Sequence, residues 1–591
     1  MTYMPLRQLR ASRSQGATTV FANLTEDLKD LPQMLDASKA LKIDNYLVTI
    51  NQGLEKRGGL RKVFDNSGIN GGSMLLKFST DYDIIGYANK ISAFNNKTGL
   101  ETNIKTYTSN STYEGARADE YTFVTNKKEY MGRITCTLAY DAQTANFTVG
   151  ALVTGGTSGA TAIIAQDADG GATGTLTLKD VLGTFLDNEL ITDTAGGSAD
   201  VNGVLTWTYT QVTNAPICQC MKLIGARLYL GVGSSVCYSS IDTGSNPPFN
   251  TWTVGTLAAD PGKNSWRQAG TVNAIDSLGD SILALCDNGK WAFRITTTDS
   301  AGTLKKEDVF VMQRIDMGGA RATAVTPAGL FYVNKGGLWN MVSVGQSNIA
   351  YNAQEIDPAT LLGAKYFDDV DLTNADLIYL IKYDTLLLTC AKDSSVNNHI
   401  IAYNIRQKTF SRITGWNINR FCNDNQTIYG ISALATKVYE CLSGSTDDSA
   451  DIWTDYYQEL QTGGLEARKE LIGQYMDAFL SPSGSLNVQF DIFDITGNFV
   501  ENKLNFDMTV QGAVGKEFGY GVQGYGEGFA GQYDDSNMLE CFDGGDNKIR
   551  NYQRIRVRIR AHDKFPHILV WLKLITNQKG NIRRRHLIQN T

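Results

Sequence analysis

Proline and histidine are scarce in this chain, with 10 and 4 copies among 591 residues. The histidines, His399, His562, His567 and His586, are scattered, with no HExxH or paired-His spacing. No Gly-x-Ser-x-Gly elbow is present either, so zinc-hydrolase and serine-hydrolase chemistry find no support. No segment approaches the ~18 consecutive apolar residues that a membrane-spanning helix needs. The opening stretch, MTYMPLRQLRASRSQ, has no apolar h-region, which argues against a secretory signal peptide. Helix-period runs are few. Most of the nine cysteines stand singly inside apolar runs, and no CxxC occurs. Only Cys218 and Cys220 are close, and their i, i+2 spacing on a strand would turn both to one face. This usage excludes a disulfide framework and a zinc site, and points to buried, reduced thiols in a protein made in a cytoplasm.

The 58 glycines, together with plentiful Thr, Tyr and Phe, favour strands joined by tight turns. From Ile217 to Leu442 one pattern recurs: apolar run, tight turn, alternating run, tight turn, run ending on an aromatic. ICQCMKLIGARLYLGVGSSVCYSS, VNAIDSLGDSILALCDNGKWAFRI and ATAVTPAGLFYVNKGGLWNMV are three copies. Each is about the size of a four-stranded propeller blade. The expected class is therefore all-β: a β-propeller-like body with a small inserted β domain and a C-terminal β-sandwich-like domain.

The expected divisions are an N-terminal arm over 1–57, first propeller strands over 58–144, an insert over 145–208, further blades over 209–450 and a C-terminal β domain over 451–591. Within the arm, Leu24 to Leu41 has room for a short helical stretch broken by Pro32. The insert is nearly free of Lys and Arg and repeats itself. FTVGALVTGGTSGATA from Phe147 matches FLDNELITDTAGGSAD from Phe185, aligning Leu152 with Leu190, Val153 with Ile191 and Thr154 with Thr192. In the last domain RIRVRIR alternates strictly, with Ile555, Val557 and Ile559 on one face and Arg554, Arg556, Arg558 and Arg560 on the other.

Net charge is −7, unevenly spread. Residues 548–591 carry twelve Lys and Arg against Asp563 alone, so the remainder is strongly acidic. An acidic body would repel a tightly held nucleic acid, so the basic face Arg554, Arg556, Arg558 and Arg560 is read as a subunit interface. Gly519, Gly521 and Gly524 fit G-x-G-x-x-G, but no strand–helix context surrounds them and Tyr520, Tyr525 and Phe529 crowd them. That loop, with Phe518, Tyr520, Tyr525 and Phe529, is a candidate gate or tip. Ser240-Ile-Asp242-Thr-Gly244 resembles part of the Asp-box turn of sialidase-type propellers, a mainly structural device. Asp167-Ala-Asp169-Gly170 and Asp543 to Asp546 lack the glutamate that would complete a calcium loop. No catalytic residue, metal or cofactor is expected.

INQGLEKRGGLRKV, EYTFVTNKK, ARLYLGVGSSVCYSSIDTGSNPPF, GDSILALCDNGKWAFRI and AGLFYVNKGGLW resemble segments of the nozzle proteins of short-tailed bacteriophages, the tail tubular protein B family. The resemblance spans most of Lys56 to Thr591. It implies a non-enzymatic virion component, assembled in the bacterial host cytoplasm into a homohexameric ring. That ring would sit below an adaptor ring, near tail fibres or spikes. It would hold double-stranded DNA and then conduct it during ejection. The alternatives are a propeller glycosidase or depolymerase acting on surface polysaccharide, and a carbohydrate- or protein-binding propeller. A carboxylate pair for the former can come from distant positions.

Overall fold

The computed structural model describes residues 17–22, 25–26, 39–49, 53–66, 68, 71–241, 249, 251–313, 319–334, 337–343, 351–355, 367, 370–424, 426–458, 469–480, 485–493, 499–509, 537–542, 549–552, 554–563 and 567–578. Their regular structure is almost entirely strand, and a 3-10 turn at Ile381–Tyr383 joins two strands of one sheet.

Seven four-stranded antiparallel units follow one another among the described residues, four of them separate sheets and three continuous with larger sheets. Blade 1 comprises Gly72–Lys77, Tyr82–Tyr87, Lys90–Asn95 and Glu101–Thr106. Blade 2 comprises Glu114–Ala118, Tyr121–Thr125, Gly132–Ala145 and Thr206–Gln211. Blade 3 comprises Cys220–Ile224, Arg227–Val232, Ser235–Tyr238 and Gly262–Ser265. Blade 4 comprises Val272–Leu278, Ser281–Cys286, Gly289–Thr297 and Lys305–Gln313. Blade 5 comprises Gly319–Thr326, Gly329–Asn334, Gly337–Ser343 and Tyr351–Glu355. Blade 6 comprises Val370–Leu380, Thr385–Lys392, His399–Asn404 and Thr409–Ile413. Blade 7 takes Ile418–Asp424, Thr427–Ser432 and Lys437–Cys441 from the end of the run, and its outer strand, Leu60–Asp65, from before blade 1. The first strand of each blade packs on the first strand of the next, and that of blade 7 packs on that of blade 1. The body is a closed seven-bladed β-propeller.

Local chemistry explains the blades. Gly225 and Gly279 occupy equivalent first turns of blades 3 and 4 with φ of 58° and 59°, a left-handed conformation that glycine adopts without a Cβ penalty. All of Ser281–Cys286 is buried. Ile282, Ala284 and Cys286 pack against blade 3 with Tyr229 and Val236. Leu283 and Leu285 pack against blade 5 with Leu330 and Tyr332. A strand sandwiched between two sheets buries both faces, so its sequence is a continuous apolar run instead of an alternating one. Each such Leu or Ile contributes about 1.5–3 kcal/mol relative to exposure.

Ring closure depends on the segment before Leu60. Leu60–Asp65 pairs antiparallel with Lys437–Cys441, from Leu60 opposite Cys441 to Asp65 opposite Lys437. It was expected among the first propeller strands and instead completes the last blade. Arg57 anchors it. Its guanidinium donates to both carboxylate oxygens of Asp447 at 2.8 and 2.5 Å, to Asn45 Oδ1 at 2.9 Å and to Thr414 O at 3.0 Å, and lies over Trp416. Trp416 Nε1 donates to the same carboxylate at 2.9 Å. The next two residues must be glycine for space: a Cβ would stand 2.4 Å from Leu442 O at Gly58 and 1.9 Å from Thr446 O at Gly59.

The insert grows between the third and fourth strands of blade 2. Gly132–Ala145 runs on past the blade, and its far half pairs with Gly174–Leu182 and Ser198–Val201. The internal repeat appears as a pseudo-twofold pair. Leu152–Gly155 lies antiparallel to Leu190–Asp193 with Thr154 opposite Thr192, the two residues that the repeat equates. Phe147 and Phe185 are both buried. The insert's core is continuous with blades 1 and 2: Phe78, Tyr82 and Trp207 belong to one cluster with Val153, Leu178 and Ile191. Asp81 accepts the Gly183 N–H at 2.7 Å.

Two further sheets form the C-terminal β-sandwich-like domain. One orders Lys39–Asp44, Ala450–Gln458, Arg554–Asp563, Ser485–Phe493 and Phe499–Thr509. The other orders Tyr46–Val48, Leu54–Lys56, His567–Gln578, Lys469–Leu480 and Asn537–Phe542, with Ala17–Ala22 also on His567–Gln578. The described part of residues 1–57 is thus woven into this domain. Of the stretch Leu24 to Leu41, expected to have room for a short helix, Thr25–Glu26 and Lys39–Asp44 are paired strands, and residues 27–38 lie outside the described residues. A short apolar run has no periodicity to separate helix from strand, and here the pairing with Ala450–Gln458 decides. Ile555, Val557 and Ile559 are fully buried, as their alternation requires. The domain sits on the outer strands of blades 6 and 7, through Lys39–Asp44 beside Thr409–Ile413 and Thr446–Asp447 beside Leu60–Asp65.

Candidate functional site

The seven first strands line a cavity of about 270 Å³ on the propeller axis that opens to solvent, and every blade contributes lining residues. Its polar lining includes Glu114, Lys222, Asn273, Thr323, Asp376 and Arg420. These side chains are tied across blade boundaries. Lys222 of blade 3 lies 3.3 Å from the buried Asp276 of blade 4, which also accepts the Thr323 hydroxyl of blade 5 at 2.7 Å. Arg420 of blade 7 lies 3.6 Å from Asp376 of blade 6 and donates to Ala375 O at 2.9 Å. Asp376 in turn accepts the Phe421 N–H at 2.7 Å. Asn419 donates to Gly72 O at 2.6 Å, joining blade 7 to blade 1.

Beside this lining, Lys127 pairs with Glu114 at 3.4 Å. Burial, and then the Arg420 charge, push its ammonium down to about 8. A second polar seam lies between blades 1 and 7, where Lys77 is 3.3 Å from the buried Asp83 and 3.5 Å from Asp424. Burial outweighs Lys77 and raises the Asp83 carboxyl to about 6.

A space of this size holds on the order of nine waters at about 30 Å³ each. It takes water or a small polar solute. A double helix, whose major groove alone is about 12 Å wide, does not fit. The axial charges were not singled out in the sequence. Their one signal is positional: MKLI, NAIDSL, NADLIY and INRFCND each set a charge inside the first strand of a blade.

The candidate gate residues Phe518, Tyr520, Tyr525 and Phe529 lie outside the described residues. Of the basic face, Arg558 binds Asp455 of its own chain through two hydrogen bonds, 2.8 and 2.6 Å. Arg560 donates to Gln489 Oε1 at 2.8 Å and Asn487 Oδ1 at 3.2 Å. Arg554 and Arg556 take strand positions opposite Phe493 and Asp491. At least two of the four therefore spend hydrogen-bonding capacity within the chain. Ser240 of the Asp-box fragment accepts the Thr251 N–H at 3.4 Å, while Asp242 and Gly244 lie outside the described residues. Asp169 accepts the Gly171 N–H at 2.7 Å in a turn. Cys218 and Cys220 do not share a face. Cys218 precedes the strand and packs with Phe123 and Met131, whereas Cys220 packs with Tyr229 and Val236. Burial pushes both thiols up to about 12. Among the described residues no group of three or more His, Cys, Asp or Glu is placed to hold a metal ion, and no helix is long and apolar enough to cross a membrane.

No family model matches the chain, and no curated protein sequence matches it. Solved structures with some likeness include the computationally designed Ika8 protein (10% identity, 64% of this chain and 99% of that one, TM-score 0.32). A chain of the Mitotic Checkpoint Complex matches at 10% identity, 65% and 92% coverage and TM-score 0.31. BamB from Moraxella catarrhalis matches at 10% identity, 72% and 97% coverage and TM-score 0.30. At these TM-scores the likenesses carry no weight for function.

Proposed function

We propose that this protein is a structural subunit of the tail nozzle of a short-tailed bacteriophage, and that genomic DNA is retained in, and then passes along, a lumen enclosed by several copies. The resemblance of the blade and lead-in segments motivates the class. The narrow propeller axis carries the DNA path: a lumen wide enough for a duplex has to lie between subunits, because the space lined by the first strands of one propeller is about 270 Å³, with Lys222–Asp276 and Arg420–Asp376 linking neighbouring blades around it. The same pairs weigh against an axial glycosidase, since the carboxylates nearest the axis are already bound to cations and N–H or hydroxyl donors. A net acidic chain suits a conduit that releases its polyanion quickly. In this role the hexamer would meet an adaptor ring above and fibres or spikes around it.

Native mass spectrometry of the purified protein, run beside an assay on chromogenic glycosides and capsular polysaccharide, tests this. A closed oligomer without turnover supports the proposal. A monomer that cleaves a glycoside overturns it.

A further inference from the structure

The axial cavity leaves open bonding capacity of both signs. Arg420 Nη1 donates to Ala375 O at 2.9 Å and to Asn374 O at 3.5 Å. Its Nε and Nη2 bond nothing among the described residues, and this edge reaches the cavity that Arg420 lines, although the side chain is only 11% exposed. Asp376 Oδ2 accepts the Phe421 N–H at 2.7 Å. Its Oδ1 stands 3.6 Å from Arg420 Nη1 and accepts no hydrogen bond among the described residues. Charged groups drawn out of bulk water with bonds unused are costly until a partner fills them. The other axial pair is different. Asp276 is buried under Lys222 and accepts from it, from the Thr323 hydroxyl and from the Ser277 N–H.

Charge narrows the kind of ligand. Glu114, Asp276 and Asp376 balance Lys127, Lys222 and Arg420, so the wall has no net charge with which to draw in an ion of one sign. An open guanidinium edge beside an open carboxylate oxygen instead suits a ligand that carries both signs close together. The Nε–Nη2 edge offers two parallel N–H groups, the arrangement that a carboxylate matches with two hydrogen bonds. In an α-amino acid the ammonium nitrogen is about 2.5 Å from the carboxyl carbon. One such head can therefore meet both members of a wall pair 3.6 Å apart.

We propose that the axial cavity binds a small zwitterion with an α-amino acid head: the open edge of Arg420 holds its carboxylate and Asp376 Oδ1 its ammonium. The cavity of about 270 Å³ leaves room for a short side chain beside the head. Both residues belong to one copy of the chain, so the site does not depend on the ring proposed above. Asp376 lies in blade 6 and Arg420 in blade 7. Only the folded propeller brings them together, and the ligand stabilises it by mass action.

The test is isothermal titration calorimetry of the purified full-length protein with glycine and L-alanine, beside acetate and methylamine. Saturable binding of an amino acid is expected, at least about tenfold tighter than that of either single-charge analogue. Asp376→Asn keeps a carbonyl oxygen for the Phe421 N–H and is expected to weaken glycine at least about tenfold while leaving acetate unchanged. Arg420→Lys keeps the charge without the fork and is expected to weaken both. The proposal is overturned if neither amino acid saturates the protein by about 10 mM. It is equally overturned if acetate or methylamine binds as tightly as glycine, or if either variant binds glycine as the parent does. The ligand comparison uses the parent protein alone, so it decides even where a substitution costs folding.

Discussion

Removing Asp447 should open the propeller at blade 7. Arg57 is almost wholly buried, with 1% of its side chain exposed, and Asp447 is its ion-pair partner, 390 residues away in the chain. Asp447→Ala leaves a buried guanidinium without counter-charge and also removes the acceptor of Trp416 Nε1. Breaking one side of a buried pair costs about 3–5 kcal/mol. Asp447 is itself slightly exposed, so the lower figure applies. The loss should concentrate where Arg57 acts, on the pairing of Leu60–Asp65 with Lys437–Cys441. Native-state hydrogen exchange reads this directly: amides of Leu60–Asp65 should exchange about a hundredfold faster, at about 1.4 kcal/mol per tenfold, while those of blade 4 change far less. The comparator is Lys62→Ala, which removes an exposed pair to Asp65 in the same strand and should cost less than about 1 kcal/mol. If Asp447→Ala costs no more than Lys62→Ala, or if the added exchange is spread evenly over the ring, the latch argument is wrong.

Gly59→Ala should prevent closure outright, because its Cβ would meet the Thr446 carbonyl at 1.9 Å; loss of the parent protein's native peak in gel filtration checks this. A buried carboxylate and a half-buried histidine give opposite pH dependences. Asp83, raised to about 6 by burial, holds its proton better in the folded state, so stability is highest below pH 4 and falls by up to about 3 kcal/mol as pH rises through 6. His399, lowered to about 4 by burial and then by Arg412 and Lys392, makes stability fall by about 3 kcal/mol as pH drops from 6.5 through 4. Urea denaturation of D83N and H399Q against the parent protein across that window should show the two differences with opposite slopes. Deleting residues 146–205 should leave a folded but less stable body, since Phe78, Tyr82 and Trp207 lose part of their shared core; calorimetry should show a lower Tm with the blade transition retained. Truncation at Lys548 removes Arg554–Asp563 and His567–Gln578, internal strands of both C-terminal sheets, so limited proteolysis should degrade residues 450–547 while the blades persist.

Much of the fold was legible because a blade is a local object. VNAIDSLGDSILALCDNGKWAFRI carries its turns, its apolar runs and its pairing within a few dozen residues. RIRVRIR declared its buried face for the same reason. The closure was not legible, because Leu60–Asp65 pairs with a strand at the far end of the run and nothing local to it encodes that partner. RGG entered only as part of the segment INQGLEKRGGLRKV, with no role of its own, yet its arginine is the anchor and its glycines are required by two distant carbonyls. At Lys39–Asp44, the described end of the stretch with room for a helix, a short apolar segment takes its conformation from the sheet that receives it. Axial residues such as Lys222 and Arg420 were invisible as a site because each is a lone charge in its own strand, and only the ring brings them together.

A three-dimensional reconstruction of the assembled particle with its DNA in place tests the central claim most directly. The account predicts several propellers around one wide lumen, DNA density in that lumen, and no density threading the axis of any single propeller. DNA on a propeller axis, or purified protein that never forms a ring, would contradict it.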